Sequence, residues 1–291
     1  MAESSSLAYI NNTVFLKDMT HFKIGGLCRH FFIAHTFDDL QHIFKNFIQQ
    51  GDEFHFLGAG SNLLINDGEV TKPVVTLGKE FQYIKKLKEC FFEIGAGVRL
   101  SQIIFNCLKD NLGGLENLVG IPASMGGLVA TNAGSFGKDI SSCMEEAVVF
   151  TREEGILRLK KEDIHFGYRY SSLRGKIILN CRIRFQKDNN VKKNIMSYLK
   201  RRLSSQDFLH PSAGCIFKNT TAASAGLLIE RCGLKGFTVG AAQVSQKHAN
   251  FIVNLGGASA KDVAVLISLI KEKVYNKFGI ELEEEIERWE I

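Results

Sequence analysis

No signature of the commonest nucleotide folds or of a membrane protein is complete in this chain. Residues 113–137, GGLENLVGIPASMGGLVATNAGSFG, form an almost charge-free run. They are too polar and too glycine-broken for a spanning helix, which needs about 20 mainly apolar residues. The opening MAESSSLAYINN has neither a basic n-region nor an apolar h-region, so no secretory leader is expected. The seven cysteines are odd in number and show no CxxC spacing. That argues against a disulfide framework or a zinc site and for a reducing, cytoplasmic setting, so no metal is expected. Cys28, Cys90, Cys107, Cys143, Cys181 and Cys232 read as small core residues. No basic patch with interleaved aromatics appears, so nucleic acid is not an expected partner. The net charge of +5 is mild, and runs such as Lys200-Arg201-Arg202 suit solvated helix faces or attraction of small polyanions. Nor is there an internal repeat.

What is present is glycine at special places. The 113–137 run holds seven glycines with Asn117, Ser124, Thr131 and Asn132 spaced between them. Lacking Cβ, glycine lets backbone approach a ligand closely and leaves N–H groups to meet oxygens. A second loop, FHFLGAGSNLLI at 54–65, sends a short apolar strand into Gly58-Ala59-Gly60-Ser61-Asn62-Leu63. It is no Walker loop, since no Gly-Lys-[Ser/Thr] follows, and Leu63 stands where a Rossmann fingerprint needs its third glycine. Together the two loops point to a dinucleotide cofactor with phosphates.

At 291 residues and 45% hydrophobic content, two or three domains are expected. The pattern predicts helices over 36–50 (ending at Gly51), from about Ser101, over 225–232 and from Ser259 to Gly279. Strands are expected at 54–57, 74–77, 91–96, 147–150, 176–185 and 250–255. In 176–185, Ile177, Leu179, Cys181, Ile183 and Phe185 alternate with Ile178, Asn180, Arg182 and Arg184, predicting one core face. The polar 186–195 reads as a linker, followed by a basic helix. Strands and helices in alternation predict an α+β or α/β multidomain enzyme.

Three further clusters carry chemistry. Phe166-Gly167-Tyr168-Arg169-Tyr170-Ser171 offers a guanidinium suited to carboxylate or phosphate. Pro211-Ser212-Ala213-Gly214-Cys215-Ile216-Phe217-Lys218-Asn219 sets a thiol beside glycine. Near the end, Glu283 and Glu285 would share one face of a strand, and Leu282 and Ile286 imply inward packing.

As a set these pieces resemble UDP-N-acetylenolpyruvoylglucosamine reductase, in its shorter type II form. The resemblance runs through THFKIGG at 20–26, LGAGSNLL at 57–64, GIPASMGGLVATNAGSFG at 120–137, FGYRYS, PSAGCIFKN and GIELEEEI at 279–286. It implies an α+β chain: a two-lobed FAD-binding domain of the vanillyl-alcohol oxidase type (lobes 1–72 and 73–190), then a smaller α+β substrate domain at 191–291. It implies FAD held by Gly58, Ala59, Gly60, Ser61, Asn62, Leu63, Gly120, Ile121, Pro122, Ser124, Gly126, Gly127, Asn132 and Gly134. NADPH would reduce the flavin and leave. The enolpyruvyl sugar nucleotide would then accept hydride at its vinyl carbon and be protonated to UDP-N-acetylmuramate, a peptidoglycan precursor.

The positions matching the family's catalytic residues are Arg169, Glu285 and Cys215. Arg169 and Glu285 would stabilise developing negative charge, Glu285 with a raised pKa. Cys215 stands where most members carry the proton-donating serine. Tyr168, Lys218, Asn219, Gln243 and His248 are the expected contacts for diphosphate, carboxylate or nicotinamide. The rival readings are another FAD-linked oxidase of the same fold and a non-catalytic flavin- or nucleotide-binding module.

Overall fold

Local rules explain the first helix. In a computed structural model describing residues 13–48 and 51–290, α1 spans Phe37–Asn46. Thr36 accepts from the Asp39 N–H, and the Asp39 carboxylate accepts from the Thr36 N–H, a reciprocal capping box. The helix ends before the expected Gly51, because the N–H groups of Phe47 and Ile48 both turn back to the Ile43 carbonyl. Gln49 and Gln50 lie outside the described residues.

The chain divides into two units, one built from 29–59 and 72–199, the other from 14–28, 60–71 and 200–291. In the first, Phe31–Ala34, Val74–Leu77 and His55–Phe56 form a three-stranded parallel sheet with Val74–Leu77 central. A five-stranded antiparallel sheet runs in the order Gly155–Lys160, Met144–Thr151, Ile177–Arg184, Phe91–Gly95, Ile84–Lys88. Helix α2 (Leu100–Asp110) buries Leu100, Ile103, Ile104 and Cys107. Burial pushes the Cys107 and Cys143 thiols up to about 12 and raises that of Cys181 as well, as expected for cysteines that only pack.

Three expectations change in this unit. Ile178 is buried along with its neighbours, so Ile177–Arg184 begins covered on both faces, and the alternation holds only from Leu179 onward. Its polar face then carries Arg182, 3.2 Å from Glu93 and 3.3 Å from Glu146. The central glycine run is not wholly irregular: it folds into the short helix α3 (Met125–Ala130), capped by Ser124. The linker is half structured. Gln186–Lys187 pairs with Leu112–Gly113, and α4 (Val191–Ser205) starts where the Asp188 carboxylate holds the Asn190 N–H and the Asn194 amide. Val191 and Ile195, one turn apart, enter the core.

The second unit has a four-stranded antiparallel sheet in the order Ser212–Cys215, Phe251–Asn254, Ala242–Val244, Thr238–Val239. Helices α5 (Ala225–Arg231) and α6 (Ala260–Phe278) belong to it. The Ser259–Asp262 capping box and left-handed Gly279 bound α6 where the sequence predicts. Residues from the amino-terminal quarter complete this unit. Leu63–Ile65 pairs in parallel with Glu287–Trp289, and Phe22, Ile24 and Leu64 join the core of Val263, Leu266, Ile267, Ile270 and Val274.

Candidate active site

In the first unit, the strand His55–Phe56 delivers the chain to Gly58 and Ala59. A Cβ at Gly58 would sit 3.1 Å from the Ser124 Oγ, so the two glycine loops meet there. Ser124 is buried, and its hydroxyl accepts from the Gly127 N–H at the start of α3. The N–H groups of Met125 and Gly126 donate to the carbonyls of Val98 and Ala96, each at 2.9 Å. These three donors are therefore engaged within the protein rather than left for phosphate. Gly126 has a packing reason, since its Cβ would stand 3.1 Å from that of Ala96. Gly120 holds a φ of +86°, and Ile121 and Pro122 carry the chain from there into Ala123. Gly134 opens a two-residue hairpin with Asp139 opposite it.

Asn132 joins two motifs the sequence left separate. It is buried in a left-handed conformation; its amide donates to the Gly167 carbonyl at 2.8 Å, and its Oδ1 accepts from Ser141 N–H. Gly167 begins a hairpin, Phe166–Gly167 against Tyr170–Ser171, with Tyr168 and Arg169 at its tip. Arg169 has a φ of +54° and its guanidinium lies 5.2 Å from the Tyr168 ring. A bulky residue in this region costs roughly 1–2 kcal/mol, which marks the position as one held for a reason.

The second unit gathers the remaining residues. Gly60 has a φ of +67°, and a Cβ there would fall 2.2 Å from the Met19 carbonyl. That carbonyl belongs to the turn leading into THFKIGG, and His21 N–H donates to Gly60 O at 2.9 Å. Among the described residues the N–H groups of Ala59 and Gly60, both buried, meet no protein acceptor. Two consecutive buried donors are costly unless something negative meets them. A cofactor diphosphate fits that need, with Ser61 following on the same turn.

Asn62 donates its side-chain amide to the Glu285 carbonyl at 3.0 Å and accepts Glu287 N–H on its own carbonyl; Leu63 is buried behind it. Residues 216–218 and 283–285 run antiparallel: Glu285 N–H donates to Ile216 O and Lys218 N–H to Glu283 O, both at 2.8 Å. Cys215 pairs with Phe251 after a register shift from Ser212, and Gly214 between them has a φ of +78°. Such a bulge re-aims the side chain beside it. The structure thus brings the Cys215 and Glu285 segments side by side, while Arg169 belongs to the first unit.

Around them, Lys218 is ion-paired with the exposed Glu283. Asn219 Oδ1 accepts from the first N–H of α5. Gln243 ties its hairpin to Gly236 and Thr238. His248 Nδ1 accepts from Asn250 N–H, and burial, aided by Lys235, holds its pKa below the ordinary value, so the ring is neutral near pH 7. The expected strand at the carboxyl end is an extended segment with one isolated bridge, Phe217 to Glu284. Leu282 and Ile286 do pack inward. Two residues escape sequence reasoning. Glu284 is half-buried between Lys271 and Arg288, and Asn250, fully buried, holds both main-chain groups of Phe217. Glu284 lies inside a run whose signal was shared by five carboxylates, and nothing local marks Asn250.

The α+β frame and the comparisons together define the class, an FAD-binding oxidoreductase of the vanillyl-alcohol oxidase type. An FAD binding domain model matches residues 29–159, and a model of the UDP-N-acetylenolpyruvoylglucosamine reductase C-terminal domain matches 205–289. The reductase of Syntrophobacter fumaroxidans is 38% identical over 92% of this chain and 80% of its own length. That of Caldicellulosiruptor saccharolyticus is 39% identical over 94% and 89%. The crystal structure of the Thermus caldophilus reductase superimposes with a TM-score of 0.84, at 34% identity, covering 97% of this chain and 99% of that one. The chain belongs to the UDP-N-acetylenolpyruvoylglucosamine reductase family, FAD-containing oxidoreductases that use NADPH. No helix among the described residues is long and apolar enough to cross a membrane.

Proposed function

We propose that this protein reduces UDP-N-acetylglucosamine enolpyruvate to UDP-N-acetylmuramate for peptidoglycan synthesis, acting in the cytoplasm. The observation that supports it most directly is the antiparallel pairing of 216–218 with 283–285, which joins the two candidate proton-handling segments and ties them through Asn62 to the flavin loop. When bound, FAD would supply the redox chemistry between NADPH and the vinyl carbon of the substrate. The proposed division takes 1–72 and 73–190 as its two lobes and 191–291 as the substrate domain, with 14–28 and 60–71 of the first lobe packed in one unit with 200–291. Gly58 to Leu63 and the stretch from Gly120 to Gly134 hold the cofactor.

The chain's own side chains then manage charge and protons. The substrate alkene accepts electrons only while its carboxylate is polarised. Arg169, fixed at its hairpin tip, supplies a permanent cation for that purpose. Glu285 stabilises the same charge as a protonated acid or through a bridging water, which requires its pKa to be raised by desolvation or by the neighbouring carboxylates. Cys215 donates the final proton from its thiol to the substrate carbon. Lys218 reaches the diphosphate by exchanging Glu283 for it, and neutral His248 offers its Nε2–H. Tyr168, Asn219 and Gln243 complete the contacts to sugar nucleotide and nicotinamide.

The test is an anaerobic mixing experiment on the flavin-loaded protein. NADPH should bleach the flavin, and only the enolpyruvyl sugar nucleotide should restore it. Recovery on admitting oxygen but not on adding the sugar nucleotide would mark an oxidase. A protein that binds no flavin after reconstitution would sink the reading altogether.

A further inference from the structure

The pairing of 216–218 with 283–285 consists of only two main-chain bonds around one bridge. A ladder this short does not fix its own register, so something else must. Asn250 is placed to do so. It is fully buried, one residue before the strand Phe251–Asn254, and its side chain makes both bonds an amide can make to a single residue. Oδ1 accepts Phe217 N–H at 3.0 Å, and Nδ2 donates to the Phe217 carbonyl at 2.7 Å. Its own carbonyl accepts Ile216 N–H at 2.8 Å. Phe217 is the bridge residue opposite Glu284, so Asn250 pins the centre of a ladder that begins one residue after Cys215 and includes Glu285.

We propose that Asn250 is a positioning residue for the protonation step, setting the register of the Cys215 segment against the Glu285 segment. The proposal rests on the roles given above to those two residues. The amide donates and accepts here at once, at any pH, from two atoms spaced to meet both main-chain groups of Phe217. A carboxylate keeps the acceptor and turns a second negative oxygen toward the Phe217 carbonyl, whereas a protonated carboxyl restores both bonds.

The test compares Asn250→Asp and Asn250→Ser with wild type, each loaded with flavin, in anaerobic stopped flow. Misplacement by about 1 Å costs on the order of a hundredfold in a step that depends on geometry. Both variants should therefore reoxidise with the sugar nucleotide about ten- to a hundredfold more slowly, while flavin reduction by NADPH stays within about twofold. On lowering the pH, Asn250→Asp should recover toward wild type and Asn250→Ser should not. The neighbouring titratable groups His248, Lys218, Glu283 and Glu284 are common to all three proteins and cancel in the ratio. Unchanged reoxidation in either folded variant, an equal fall in both half-reactions, or no recovery of Asn250→Asp in acid would overturn the proposal. If one variant fails to load flavin, the other still decides it. A wild type that the sugar nucleotide does not reoxidise would overturn the functional reading itself.

Discussion

An ordinary thiol is far more acidic than an alcohol and gives up its proton in alkali, where an alcohol does not. Cys215→Ser should therefore retain substantial substrate reduction and lose less of it as pH rises. Cys215→Ala should slow flavin reoxidation by roughly 10²- to 10⁴-fold, the usual worth of a positioned acid, and leave reduction by NADPH intact. Stopped-flow traces of the two half-reactions separate these outcomes, and an alanine variant that turned over normally would remove Cys215 from the mechanism.

Glu284, next to the proposed acid, behaves oppositely to what Glu285 requires. Burial alone would raise its pKa, but hydrogen bonds and charge from Lys271 and Arg288 outweigh burial and hold it below the ordinary glutamate value of 4.5. Its folded pKa is thus below its unfolded one, so it stabilises the fold above about pH 4.5, and that contribution is lost as pH falls through the folded value. Glu284→Gln should destabilise the fold at pH 7 by about 1 kcal/mol or somewhat more, with a lower melting temperature, and converge with wild type in acid. Thermal denaturation at pH 7 and pH 3 would show it; a difference that persists at pH 3 would count against the assignment.

Elements differ in how much of themselves they announce. Helix α6 is legible because Ser259, Asp262, a 3.6-residue apolar stripe and Gly279 all speak locally. The strands of the first unit are legible by their apolar runs. Helix α3 is not, since Gly126 and Gly127 argue against a helix, and only Ser124 and the carbonyls of Val98 and Ala96 decide for one. Of the site, the motif residues are readable, but the amides that brace them, Asn250 and the side chain of Asn62, act across tertiary contacts that leave no local period. The turn at Gly60, proposed to hold flavin, offers a test at this scale. Gly60→Ala would meet the Met19 carbonyl at 2.2 Å in a left-handed conformation, so the turn must shift. Its absorbance spectrum after purification should lack flavin, whereas a yellow protein with normal flavin content would clear Gly60 of that role.

The whole chain is not two beads in sequence. Its second unit draws on 14–28 and 60–71 as well as 200–291. Asp67 accepts the Ala260 N–H at the start of α6, and the Asn254 amide donates to the Phe22 carbonyl at 3.1 Å. A fragment of 200–291 alone would expose the surfaces that Phe22, Ile24 and Leu64 cover. It should show no cooperative urea transition by circular dichroism, although it contains the whole matched C-terminal region. A sharp transition would mean that these early segments are dispensable.

The parallel pair Leu63–Ile65 with Glu287–Trp289 also sets a clock. Asn62 waits for a partner 223 residues further on. At roughly 5–20 residues per second, the ribosome takes about 10–45 s to make that stretch. Throughout that interval the turn at Asn62 has one neighbour still unsynthesised, and so has Leu63–Ile65, whose partner strand ends at the buried Trp289. The turn at Gly60 to Asn62 is therefore completed only once Glu285 and Glu287 have been made, and it spends most of that interval without its late partner.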